Sequence, residues 1–294
     1  MINHIYDVSG DLPGNVFLIK GEKNFLFDTG MACCGEKMAE RTEEALKGEK
    51  LDYVFLTHSH YDHVSGLPFL RRKWPDLTVY TAPHGKGVLE KESALAAIRR
   101  MNLAGAKVQN MKEPAYEEWE LRADKTLTDG QSVDLGSWQV TAVETPGHTR
   151  DCLSYLVKRR GCEKALLMCC ETAGVYAGEA GFMPCFLVGY TSAIQSIEKM
   201  KGLGAQLILL SHYGIISLQQ SPDIWEKCLE DAKKAKSVME KAVLSNMTEE
   251  EQIKAMAEVF WTEPVWPYQP FDAFAANMKA MLKTVRQETL GRNF

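Results

Sequence analysis

The sequence contains no long apolar run, no excess of basic residues and few histidines, and each shortage narrows what the chain can do. No stretch reaches the length needed to cross a bilayer, so a membrane-spanning protein is not expected. Lysines and arginines number 34 against 39 aspartates and glutamates, a net charge of −5. The basic residues are scattered apart from short clusters such as Arg71-Arg72-Lys73 and Lys158-Arg159-Arg160, so neither a nucleic acid nor a membrane surface is an expected partner. The start of the chain, Met1-Ile2-Asn3-His4, has no basic segment followed by an apolar one, so no secretory signal is read there. The eight cysteines (Cys33, Cys34, Cys152, Cys162, Cys169, Cys170, Cys185 and Cys228) lack even spacing. In a chain of this length that pattern points to reduced thiols in a cytoplasm rather than to a disulfide framework. What is present, 45 % hydrophobic and 25 % charged residues in 294, is the composition of a globular protein with one large domain, or a domain and an appendage.

Of only seven histidines, three fall within Thr57-His58-Ser59-His60-Tyr61-Asp62-His63. This stretch follows the apolar run Val54-Phe55-Leu56, which reads as a buried strand ending where the candidate ligands begin. On a loop leaving a strand, His58 and His60 can converge on one cation while Asp62 and His63 turn toward a second. Imidazole and carboxylate are the ligands expected of Zn²⁺, with Fe²⁺ and Mn²⁺ also accommodated. The arrangement recurs. A strand over 138–143 leads to Thr145-Pro146-Gly147-His148-Thr149, one over 165–170 to Glu171, and one over 207–210 to Ser211-His212. Strand ends are where a rigid sheet holds ligands while loops leave room for substrate.

The elements around these motifs alternate in an α/β manner. Residues 15–20 and 24–27 read as a hairpin ending at Asp28-Thr29-Gly30, and Asp28 reads either as a partner that orients the metal loop or as a turn residue. Helical spacing covers 36–46, 68–74 and 86–102, with strands at 53–56, 78–81, 132–135 and 153–157. His84, between Pro83 and Gly85, reads as a turn residue, and the acidic stretch 113–120 as an exposed loop. Cys169 and Cys170 read as small buried residues or as thiolate ligands, and Cys33-Cys34 as buried or redox-sensitive. From Ser221-Pro222 onward the pattern is helical. One helix carries Ile224 to Val243 at three- and four-residue spacing, a second opens with the Thr248/Glu251 capping box and runs to Phe260, and a third covers 271–290. The intervening residues 261–270, rich in tryptophan and proline, read as glue between helices or as the lining of an acyl pocket.

The combined pattern resembles the metallo-β-lactamase fold superfamily, whose members carry a His-x-His-x-Asp-His loop followed by a histidine, an acidic residue and a histidine. The resemblance covers roughly residues 10–215 and implies an αββα sandwich with a dinuclear site at one edge of two sheets. It implies a catalytic domain over 1–218 and a helical appendage over 219–294 that narrows access to the metals. By the same resemblance His58, His60 and His148 hold one divalent cation, Asp62, His63 and His212 hold a second, and Glu171 bridges both. The Thr-Pro-Gly-His-Thr form is similar to that of the glyoxalase II and acyl-thioesterase branches. Two positions depart from the family: Glu171 stands where aspartate is usual, and Arg150-Asp151 follow His148 where the glutathione-binding branch usually has glycine. The implied activity is hydrolysis of an ester or thioester of a small molecule by metal-activated hydroxide, with Asp62 orienting the nucleophile. A phosphodiesterase, a diiron redox protein and a low-turnover ligand-binding regulator are the alternatives, and a homodimer is compatible with any of them.

Overall fold

The computed structural model describes residues 1–11, 16–245, 247–263, 265–266 and 270–291. These residues form two compact units, 1–144 with 153–168, and 145–152 with 169–294. In the first unit, β1 (Ile5–Asp7), β2 (Phe17–Ile19) and β3 (Phe25–Phe27) make an antiparallel meander. To this, β4 (Tyr53–Phe55), β5 (Thr78–Thr81) and β6 (Lys125–Thr126) are added in parallel. Parallel neighbours need crossovers, and helices supply them. These are α1 (Gly35–Leu46), then α2 (Tyr61–Val64) and α3 (Leu67–Lys73), then α4 (Pro83–Leu89) and α5 (Glu92–Val108).

Every residue of β2 and β3 is buried, as expected of strands covered on both faces. On one face Leu18, Leu26, Val54 and Val79 join a cluster with Met38 and Leu46 of α1, Leu67 and Leu70 of α3, and Leu95 and Ile98 of α5. The other face is aromatic. Phe55 stacks on Tyr80 at 5.2 Å and Phe27 on Tyr155 at 5.4 Å between ring centroids. Tyr155 belongs to a second sheet, in which β7 (Ser132–Asp134), β8 (Trp138–Glu144), β9 (Leu153–Arg159) and β10 (Ala165–Cys169) pair antiparallel in chain order. The first unit is thus a helix layer on a sheet, with a second sheet joined through stacked rings. Such ring pairs contribute about 0.5–1.5 kcal/mol each beyond the area they bury.

The helix expected over 86–102 is instead two helices. Pro83 occupies the first turn of α4, where its missing N–H costs nothing, and Lys91 in an extended conformation separates α5 from α4. The acidic stretch 113–120 is only partly exposed. Tyr116 and Glu120 are buried, because Arg72 meets Glu120 at 3.0 Å and Arg99 donates to the Tyr116 carbonyl at 2.8 Å.

The second unit holds a short hairpin of β11 (Val175–Tyr176) and β12 (Phe182–Met183), helix α6 (Tyr190–Gly202), and a hairpin of β13 (Leu207–Leu210) and β14 (Gly214–Ser217). Helices α7 (Ile224–Leu244), α8 (Glu249–Phe260) and α9 (Phe271–Leu290) follow, close to the sequence reading. Their core gathers Phe186, Met239, Met256, Phe260, Phe274, Met278 and Val285. The Thr248/Glu251 capping box is formed, with the Glu251 carboxylate accepting from the Thr248 amide at 2.7 Å and the Glu251 amide donating to Thr248 Oγ1 at 3.3 Å. Helix α6 escaped the sequence reading because its buried face, Ala193, Ser196, Ile197 and Met200, is too small and polar to show an apolar stripe. Of the aromatic stretch 261–270, Pro264 and residues 267–269 lie outside the described residues, as does Asn15 at the start of the first strand. The Trp261 ring lies 4.9 Å from Phe271 and 6.4 Å from Phe274, so it packs on the start of α9.

Replacing Phe55 by alanine is expected to cost about 3–5 kcal/mol, and Thr248→Ala about 1 kcal/mol, in equilibrium urea unfolding. A loss at Phe55 no larger than that at Thr248 would contradict the role given to the aromatic layer.

Candidate metal centre

The metal loop begins where β4 ends, and its geometry is set before the first histidine. The Tyr155 hydroxyl donates to the Leu56 carbonyl at 2.7 Å, and the Leu153 amide donates to the Thr57 carbonyl at 2.8 Å. From β3, Asp28 accepts the Thr57 amide at 2.7 Å through Oδ1 and the Thr57 hydroxyl at 2.8 Å through Oδ2. Asp28 Oδ2 also lies 2.9 Å from Nδ1 of His63. The turn of α2 is tied down from the same side, because the Thr29 amide and hydroxyl both donate to the His63 carbonyl, at 2.7 and 2.9 Å. Asp28 is therefore the orienting partner, not merely a turn residue. It holds φ +56°, a conformation uncommon for a residue with a side chain and characteristic of constrained sites. Within this unit the ligand atoms of His58 and His60 lie within 4.8 Å of each other, as do those of Asp62 and His63. His58 and His63 are fully buried, whereas His60 and Asp62 are partly exposed.

In the second unit His148, Glu171 and His212 come together. Nε2 of His148 lies 2.9 Å from Glu171 Oε2, and Nε2 of His212 lies 2.6 Å from Oε1, so each carboxylate oxygen faces a different ring. Thr172 links the two segments: its hydroxyl donates to the Thr145 carbonyl at 2.6 Å and accepts the His148 amide at 3.2 Å. The turn before His148 requires glycine, since a Cβ on Gly147 would fall 2.7 Å from Ala193 Cα of α6. His212 sits between β13 and β14 at φ +65°, so two of the four described non-glycine residues with positive φ, Asp28 and His212, are in these clusters.

Three rings have their tautomer dictated by what Nδ1 faces. The Asp28 carboxylate and the Cys185 carbonyl only accept, so His63 and His148 each carry the proton on Nδ1, the latter at 3.0 Å from its partner. The Thr57 hydroxyl gives its one proton to Asp28 and so accepts from His58 Nδ1 at 3.1 Å. Nε2 is then the basic nitrogen on all three, the orientation metal ligation requires. Around Glu171 the same logic sets lone pairs against lone pairs. A neutral His148 and an ionised Glu171 at 2.9 Å need a proton or a cation to hold them. Burial acts to lower the His148 pKa, but the Glu171 charge and hydrogen bond overcome it and the net shift is upward. Burial acts to raise Glu171, and the His212 and His148 rings outweigh it, holding the carboxyl well below its usual range. A donor set of imidazoles and carboxylates, with ring tautomers fixed and one carboxylate shared, fits divalent cations.

All seven residues singled out from the sequence thus lie in one cluster or the other. His84 is exposed in the first turn of α4 and belongs to no group of three or more candidate ligands among the described residues. Cys169 and Cys170 are buried, and no cysteine belongs to a group of three or more ligands among the described residues. No disulfide joins any of the eight thiols. Thr57, Thr172 and the Cys185 carbonyl were not anticipated. Thr57 and Thr172 directly adjoin ligands, the one available signal, whereas a backbone carbonyl leaves none.

Asp28→Asn is expected to weaken divalent-cation affinity about 10–100-fold with the fold retained, read by competition with a chelator and by circular dichroism. Cation binding at His148 must displace the proton that Glu171 favours there. Protonated His148 dominates below its raised pKa, so affinity is expected to fall with pH, being weaker at about pH 6 than at about pH 8. Calorimetric titration with Zn²⁺ in buffers of different ionisation enthalpy would show the released protons; no release would exclude this proton.

The model of the metallo-beta-lactamase superfamily matches residues 9–212. Metallo-beta-lactamase fold-containing protein ST1585 of Sulfurisphaera tokodaii is 24 % identical over 210 residues, covering 67 % of this chain and 75 % of that one. Its crystal structure superposes with a TM-score of 0.61 at 19 % identity, covering 93 % of this chain and 98 % of that one. Hydroxyacylglutathione hydrolase of Brucella anthropi is 31 % identical over 119 residues, 40 % of this chain and 34 % of that protein. Atrochrysone carboxyl ACP thioesterase of Aspergillus fumigatus is 27 % identical over 149 residues, 49 % of this chain and 26 % of that protein. No helix among the described residues is long and apolar enough to cross a membrane. With the family model matched across most of its length and the fold shared with ST1585, the chain belongs to the metallo-β-lactamase superfamily.

Proposed function

We propose that the chain is a dinuclear metal-dependent hydrolase that cleaves an ester or thioester of a small molecule. His58, His60 and His148 would hold one cation, Asp62, His63 and His212 would hold the second, and Glu171 would be shared between them. The observation that carries this reading is the Glu171 carboxylate, whose two oxygens face His148 at 2.9 Å and His212 at 2.6 Å. The longer side chain therefore still reaches both rings. Zn²⁺ suits the donor set best, and Fe²⁺ and Mn²⁺ fit it as well. Two such cations supply hydroxide at neutral pH and polarise the substrate carbonyl.

The chain's own groups do the rest. Asp28 and Thr57 hold His63 and His58 in the ligating tautomer, so no reorganisation is needed when the cations bind. Asp62, partly exposed beside the buried His63, orients the nucleophile. The thioester preference rests on the two distant relatives whose names describe a thioesterase and a hydrolase of an acylglutathione. Arg150-Asp151 after His148 weigh against glutathione itself as the leaving group.

Elemental analysis of protein purified without added metal is expected to give about two cations per chain, alongside turnover of an acyl-thioester reporter. Asp62→Ala should lower kcat about 10²–10⁴-fold and His60→Ala should reduce both metal content and turnover, each with native circular dichroism. Full activity in either variant, or turnover confined to a phosphodiester reporter, would overturn the assignment.

A further inference from the structure

We propose that the cleft between α8 and α9 is a second, non-catalytic binding site, taking a small organic molecule that carries a dianionic group such as a phosphomonoester. The cleft has a volume of 270 Å³ and is lined by Glu249, Lys279, Leu282, Lys283 and Arg286. Four of these follow one face of α9 at the spacing of successive helical turns. Three cations against one carboxylate leave two positive charges in a chain whose net charge is −5.

Elsewhere in the second unit several lysines meet carboxylates: Lys201 with Glu226 at 2.8 Å, Lys227 with Asp223 at 3.1 Å, Lys236 with Glu288 at 2.7 Å. In the cleft only Lys279 does so, with Glu249 at 2.6 Å. Lys283 and Arg286 have no carboxylate partner among the described residues, although Lys279 and Lys283, like charges four residues apart, weaken the helix. Glu251 of α8 is held by the Thr248 amide and hydroxyl at 2.7 and 2.9 Å.

The guanidinium is also positioned. Gln252, only 2 % exposed, gives its amide to the Ala242 carbonyl at 2.9 Å, which turns Oε1 toward Arg286 Nη2 at 3.2 Å. One of five N–H donors is spent on that bond, and the planar fork left over matches two oxygens of a phosphate. A residual charge of two matches a phosphomonoester dianion better than a carboxylate. The volume exceeds that of a bare anion and leaves room for an organic body, with Leu282 the apolar residue of the lining.

Titration calorimetry of the full chain with phenyl phosphate, with benzenesulfonate and phenol as comparators, tests this. One saturable site for phenyl phosphate is expected, weakened about tenfold by Lys283→Gln and by Arg286→Gln, and unchanged by His60→Ala. Lys283 is exposed, so its variant reports on the site even if Arg286→Gln loosens the helices. Absence of binding, equal affinity for benzenesulfonate, or binding that survives Lys283→Gln and disappears in His60→Ala would each overturn the proposal, the last by placing the anion at the metals.

Discussion

A single buried carboxylate sets the geometry of the first ligand cluster. Asp28 receives the Thr57 amide, the Thr57 hydroxyl and the His63 ring, so a charge that burial would otherwise penalise heavily is met by donors on every side. Those donors come from the loop after β4, while Asp28 itself ends β3, so two parallel neighbours of one sheet fix the separation between carboxylate and rings. Removing the charge would release the histidine loop as a whole rather than one ligand, because Thr57 passes the constraint on to His58 and Thr29 passes it to the α2 turn.

The second cluster reaches a similar end by different means. Its His148 is oriented by a backbone carbonyl, that of Cys185, and the turn before it is seated on α6 through Ser196, which donates to the Pro146 carbonyl at 2.7 Å. Thr172 takes the place that Thr57 has in the first cluster, joining a ligand to its neighbour through a hydroxyl that both donates and accepts. One cluster thus relies on charge and the other on the main chain, and the two should respond differently to substitution. The first is exposed to point changes at Asp28, the second to anything that moves the 183–188 segment.

Much of this was legible in the sequence because metal ligation uses scarce residues at predictable places. His58, His60, His63, His148 and His212 stood out against a background of few histidines, each at the end of an apolar run. Helices α7 to α9 were legible from their buried periodicity and from a capping box whose chemistry is local. What was not legible depended on long-range contacts. Asp28 could not be told from a turn residue until Thr57 and His63 were seen to converge on it. The docking of Glu120 on Arg72 rests on tertiary pairing, and α6 has too little apolar surface to declare itself. The Cys185 carbonyl is the extreme case, since any residue type would supply it.

The chain passes between the two units at 144–145, 152–153 and 168–169, so the eight residues that carry His148 are an insertion in the connection between β8 and β9. The second cluster is accordingly encoded in stretches separated by residues 153–168 of the first unit, so a segment that replaces all three ligands at once carries part of the other unit with it. A crossover between 148 and 171 would separate His148 from Glu171 and His212, leaving a carboxylate without the ring that it meets at 2.9 Å.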